Sequence, residues 1–206
     1  MITFIDQQQA FRLNSNFELK NLENQLEYIS TDALVSITEK FCIKPNKSSS
    51  SSEVQLLPVY PNESIQQNRI HGLDYQVDFT VRNTINSKRI HHISEFIQRL
   101  TSSEECKEKT CVTVVILKNK AIVIGKRLQE YLHFSCFQFD NPTELLYQLN
   151  AIYLDKGLDR ETDPLVFKGE IREDSQIIHL IKIYFRNINV NEPTQVYQVL
   201  IDHLAS

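Results

Sequence analysis

Residues 111–139 read CVTVVILKNKAIVIGKRLQEYLHFSCFQF. Cys111 to Leu117 is almost continuously apolar and β-branched, the pattern of a central strand covered on both faces. Asn119-Lys120 supplies a tight reversal into a second strand, Ala121 to Ile124. A third strand, Tyr131 to Phe139, follows. Next, Asn141-Pro142-Thr143-Glu144 opens a helix with a cap, a proline in the first turn and an acid at the third position. Leu145, Leu146, Leu149, Ile152 and Tyr153 form its buried stripe, and Gly157 ends it. Leu165 to Phe167 is a short strand. Asp174 or Ser175 caps a helix whose Ile177, Ile178, Ile181, Tyr184 and Phe185 face the core. Ile188 to Val190 is a further short strand, and Thr194 caps a last helix carrying Val196, Val199, Leu200 and Leu204.

Upstream the pattern is less regular. Leu19, Leu22, Leu26 and Ile29 recur at helical spacing, as do Leu34, Ile37 and Phe41 after the cap Thr31-Asp32, so residues 1–47 read as a short strand and two helices. Five consecutive serines, Ser48 to Ser52, mark a loop or linker. Val54 to Tyr60 reads as a strand closed by Pro58 and Pro61. Tyr75, Val77, Phe79 and Val81 alternate with Gln76, Asp78 and Thr80, a strand with one wet face. Ile90, Ile93, Phe96, Ile97 and Leu100 mark a helix, with a polar loop from Thr101 to Thr110. The division expected is an N-terminal α/β subdomain over 1–105, with its Ser-rich loop at 47–53, and a C-terminal subdomain over 106–206.

Bulk composition narrows the function classes. The 206 residues hold four glycines, where average usage of about 7% would give roughly fourteen. Phosphate cradles, nucleophile elbows and dinucleotide turns need glycine where backbone meets ligand, and no pair here has that spacing. Net charge is −4, so no global positive field draws nucleic acid or an anionic membrane. Lys88-Arg89 and Lys126-Arg127 are isolated pairs. The N-terminus lacks a basic start and apolar stretch, and the longest purely apolar run, Val114 to Leu117, is far below the roughly 20 residues of a membrane span. A cytoplasmic protein with reduced thiols is expected. Of Cys42, Cys106, Cys111 and Cys136, no two form a C-x-x-C, and Cys111 and Cys136 read as small buried side chains.

The order βββαβαβα in the second half is the one shared by ribonuclease H-like and actin-like subdomains, which predicts an α/β protein with a mixed sheet and helices on its faces. The residues point further. Phe137-Gln-Phe-Asp-Asn-Pro-Thr-Glu-Leu-Leu-Tyr147, Gly157-Leu-Asp-Arg-Glu-Thr-Asp-Pro-Leu-Val-Phe-Lys-Gly-Glu-Ile171, Asp174-Ser175 and Ile183-Tyr-Phe-Arg-Asn-Ile188 resemble the C-terminal part of an uncharacterised, Bacteroidetes-type bacterial family with a degenerate actin-like fold. The resemblance runs over about residues 112–190. It implies a fold and names no reaction.

An active actin-like ATPase of this kind needs an acid in the first strand of each subdomain and a glycine-rich hairpin around phosphate. In the second half that hairpin would be Val115 to Ile122, which has neither aspartate nor glycine, and Lys118 and Lys120 do not replace backbone amides. A ribonuclease H-like nuclease needs paired carboxylates for metals. The strand Cys111 to Leu117 carries none, although Asp163, Glu170, Glu173 and Asp174 cluster in sequence further on. Their plain role, for Glu173 and Asp174, is to serve a helix N-terminus. His91-His92, taken as helical, diverge by about 100° and do not share a metal. His133 and Cys136, an odd number apart on a strand, point to opposite faces.

The reading that follows is a non-enzymatic scaffold or complex subunit. It needs no cofactor or metal and takes a protein partner or a second copy of itself, with no nucleic acid or membrane. Candidate contact residues are Tyr131 and Phe134 on the third strand and Val196, Val199 and Leu200 on the last helix. Two alternatives stand beside it. One is a nucleotide- or metal-dependent enzyme using the carboxylates Asp163, Glu170, Glu173 and Asp174. The other is a small α+β subunit of a larger assembly.

Overall fold

The computed structural model describes residues 2–5, 10–13, 19–21, 33–37, 41–45, 63–70, 73–80, 90–96, 100–101, 109–128, 130–191 and 194–205. They fall into two compact units, Met1–Gln98 and Arg99–Ser206.

In the first unit, strands β1 (Ile2–Ile5), β2 (Ala10–Leu13), β3 (Leu19–Asn21), β4 (Ala33–Ser36) and β8 (Ile90–His92) form one sheet in the order β3-β2-β1-β4-β8. β1, β2 and β3 pair antiparallel in sequence, whereas β4 runs parallel to β1 and β8 parallel to β4. Between β4 and β8 the chain builds a second, three-stranded antiparallel sheet, β5-β7-β6, from β5 (Phe41–Pro45), β6 (Glu63–Ile70) and β7 (Leu73–Thr80). Val35, Ile37, Ile93 and Phe96 are fully buried.

Three readings of this half are corrected. Leu34 lies in β4 and Phe41 opens β5, so no helix runs from 34 to 41. Leu19 lies in β3; the remainder of that proposed helix, like the serine run and the strand at 54–60, falls outside the described residues. Ile90–His92 is a strand followed by a 3-10 turn at Ile93–Phe96, where a helix was expected. The strand predicted at Tyr75 is β7.

The second unit follows the expected order. β9 (Thr110–Leu117), β10 (Lys120–Arg127) and β11 (Glu130–Gln138) form an antiparallel meander. Then come α1 (Pro142–Asp155), β12 (Leu165–Gly169), α2 (Gln176–Ile181), β13 (Ile188–Val190) and α3 (Thr194–Ala205). β12 runs parallel to β9 and β13 parallel to β12, giving the order β11-β10-β9-β12-β13. Parallel neighbours need a crossover, which α1 and α2 provide. Both five-stranded sheets therefore repeat one plan. A central strand carries a meander on one side and two parallel strands on the other.

β9, at the centre, is buried from Cys111 to Leu117, as a strand covered on both faces must be. One face, with Val112, Val114, Ile116, Val123 and Phe167, packs against the stripe of α1 and against Ile178, Ile181 and Phe185. The α1 stripe is Leu145, Leu146, Leu149, Ile152 and Tyr153. Tyr184, expected in the core, is 46% exposed; it follows the end of α2, where the chain no longer keeps helical phase. α3 packs on β12, with Val196 and Leu200 buried. Cys136 is buried and outside any disulfide, whereas Cys111 is disulfide-bonded, against the expectation of reduced thiols.

Candidate functional site

In open α/β sheets the natural ligand position lies outside the carboxyl ends of the parallel strands. In the second unit that position is where β9 turns into β10 and where β12 ends. The turn itself is Lys118-Asn119, flanked by the Leu117–Lys120 pair and displaced by one residue from the expected reversal. Lys118 takes φ +57° there without being glycine. The Asn119 carbonyl accepts from the Phe139 amide at 2.9 Å, which ties the turn to the end of β11.

β12 ends at Gly169, with φ +88°. A Cβ there would lie 2.1 Å from the Ile116 carbonyl oxygen, so only glycine fits. The Glu170 amide then donates to that same oxygen at 2.8 Å, and Ile171 N–H closes a tight turn onto the Gly169 carbonyl at 2.8 Å. This path delivers the Glu170 carboxylate to the hairpin, where Oε2 accepts from the Lys118 backbone N–H at 2.9 Å. On the other side stands Tyr197 of α3. Burial, and then the neighbouring Glu170 carboxylate, push its hydroxyl far above the ordinary phenol range. Glu170 therefore joins hairpin, strand end and last helix.

The other sequence-predicted carboxylates go elsewhere. Asp163 Oδ2 accepts from the Asp159 amide at 2.8 Å while the Asp163 amide donates to the Asp159 carbonyl at 2.9 Å, a reciprocal lacing of one loop, and Asp159 Oδ1 accepts from the Glu161 amide at 2.8 Å. The Asp159 carboxyl is held below its usual range, chiefly by that Glu161 N–H. Glu173 pairs with Lys182 at 3.0 Å. Asp174 is exposed, and Ser175 caps α2 by accepting from the Ile178 amide. Among the described residues no three His, Cys, Asp or Glu side chains are grouped to hold a metal.

His91 and His92 sit in strand β8 and not on a helix. His133 lies on β11, with Nε2 2.8 Å from Ser135 Oγ. Burial, reinforced by the Lys156 ammonium and opposed by Asp155, pulls its imidazole down to about 4. The Ser135 partner is two residues away on the same face of the strand, a period-2 signal that sequence reasoning passed over. Ser135 pairs with Val123 of β10, and β11 is an edge strand of its sheet.

Of the candidate contact residues, Val196 and Leu200 are buried within the chain, and Tyr131, Phe134 and Val199 are half-buried. Among the described residues, the large apolar side chains that do face solvent are Leu128, Tyr147, Leu154, Ile183 and Tyr184. Ile183 and Tyr184, with Gly157 to Glu161, line an open depression of about 580 Å³. No helix among the described residues is long and apolar enough to cross a membrane.

The two five-stranded sheets and their shared order define an actin-like fold, and the first of two solved structures compared agrees. A Bacteroides thetaiotaomicron protein described as having an actin-like ATPase fold and unknown function superposes with TM-score 0.70 at 11% identity, covering 98% of this chain and 94% of that one. A putative Baf family transcriptional activator from Campylobacter jejuni gives TM-score 0.42 at 9% identity, covering 100% and 99%. No curated protein sequence matches. A family model matches residues 40–188, and the chain belongs to that family, a protein of unknown function designated DUF3822. The match reaches well upstream of the 112–190 stretch that carried the resemblance in the sequence.

Proposed function

We propose that this chain is a non-catalytic, protein-interacting member of the actin-like fold class, its hairpin anion position taken by its own carboxylate. The observation that carries the reading is the bond from Lys118 N–H to Glu170 Oε2 at 2.9 Å. A turn amide at the carboxyl end of the central strand attracts anions. A carboxylate already there makes a charge-assisted bond and repels any phosphate brought beside it. Gly169 supports the same reading, because its close seat on Ile116 fixes the approach of Glu170.

Thermal unfolding of the full chain with and without Mg²⁺-ATP or Mg²⁺-GTP tests it. A ligand held by the folded state at 100 times its Kd adds about 2.7 kcal/mol, which is about 5–10 °C for a chain of this size. No shift is the expected result. A shift of that size with either nucleotide contradicts the reading.

A further inference from the structure

α1 is apolar on two faces. Its inner stripe is core, yet Tyr147, Ala151 and Leu154, at i, i+4 and i+7, form a second stripe on the outer face. Tyr147 is 71% and Leu154 85% exposed, and Ala151 faces solvent between them. A helix apolar on both sides belongs in an interior, and a large-small-large stripe at this spacing is the seam of a helix pair. Charge divides across it. At 100° per residue Glu144 and Asp155 fall on one flank; Asp155 is paired there with the Lys156 ammonium at 2.8 Å, while Glu144 accepts neutral N–H donors at the cap and keeps its net charge. On the other, Asn150 Oδ1 accepts from the Arg160 guanidinium at 2.8 Å and so holds that cation beside the stripe.

We infer that the outer face of α1 docks on the same face of a second copy, the two helices lying parallel about a twofold axis along the seam. In that arrangement opposite flanks meet, so the Glu144 flank of each copy faces the Arg160 flank of the other, on both sides at once. Antiparallel helices would set the carboxylates against each other. The small Ala151 at the middle lets the helices approach, while Tyr147 and Leu154 each meet their own counterpart. Interfaces of standard size hide about 800 Å² per partner. Three side chains and their charged flanks supply less, so the pair is reversible and weakens with salt. The inference names the partner for the interaction reading above but rests on α1 alone, so nucleotide binding and self-association fail separately.

Sedimentation equilibrium of the full chain at sub-millimolar concentration reads it. The wild type is expected to self-associate as a dimer, and Ala151→Glu, at an exposed position, to be monomeric with an unchanged melting temperature. Single cysteine variants Tyr147→Cys, Ala151→Cys and Leu154→Cys are each expected to give a covalent dimer on oxidation, beyond the wild-type background, because all three lie on the axis. A monomeric wild type overturns the proposal, as does a dimer that survives Ala151→Glu. Cross-linking through Ala151→Cys alone overturns the parallel arrangement.

Discussion

Gly157 and Gly169 both stand at positive φ, +61° and +88°, yet their surroundings differ. Nothing lies within 4 Å of a Cβ at Gly157, whereas one at Gly169 meets the Ile116 carbonyl. Gly157→Ala should therefore cost only the left-handed backbone penalty, about 1 kcal/mol. Gly169→Ala should cost 3 kcal/mol or more, on the order of the largest single-site effects, with urea unfolding as the measurement. The converse case is Leu128, 57% exposed at φ +55°; Leu128→Gly relieves that strain and is expected to raise the unfolding free energy by about 0.5–1 kcal/mol, read in urea. His133 sets a pH dependence. The unfolded chain takes up its proton near 6.5 and the folded chain near about 4. Between those values the unfolded state binds more protons, so stability falls as pH falls through that window. His133→Gln should lose less stability than wild type between pH 7 and pH 5, read as the change in urea midpoint. Glu170 itself was visible in the sequence as one of four acids. Its role was not, because its partner amide is 52 residues away.

At the level of elements, legibility followed length and cap chemistry. α1 was readable because its ends are written locally. Asn141 accepts from the Glu144 amide at 3.0 Å, while Glu144 reaches back to the Asp140 amide at 2.8 Å. At the far end Leu158 N–H bonds the Tyr153 carbonyl and Gly157 N–H that of Leu154, a Schellman closure on a left-handed glycine. Asn141→Ala is expected to cost about 1 kcal/mol, measured by chemical denaturation. β3 and β4, by contrast, have three and four residues. Strands so short place at most two residues on a face, so leucines spaced three or four apart through them and their flanks mimic helical periodicity. What makes β4 a strand is its parallel pairing with β1 and β8, a long-range fact.

Across the whole molecule, the repeated sheet order is what joins the legible second unit to the first. Element order predicted the second sheet, and the resemblance over 112–190 predicted the family, but the same plan in residues 2–92 is interrupted by the inserted sheet between β4 and β8. That insertion separates β8 in sequence from the strands it completes and hides the repeat. The proposed loss of nucleotide binding turns on one amide at the end of the second unit's central strand. Its resonance in a ¹³C,¹⁵N-labelled full chain, assigned from backbone triple-resonance spectra, is therefore the measurement to make. The Lys118 amide is expected to stay in place when Mg²⁺-ATP or inorganic phosphate is added to the wild type, and to move when Glu170 is removed. A Lys118 amide that shifts with added nucleotide in the wild type, and is indifferent to Glu170→Ala, contradicts the account.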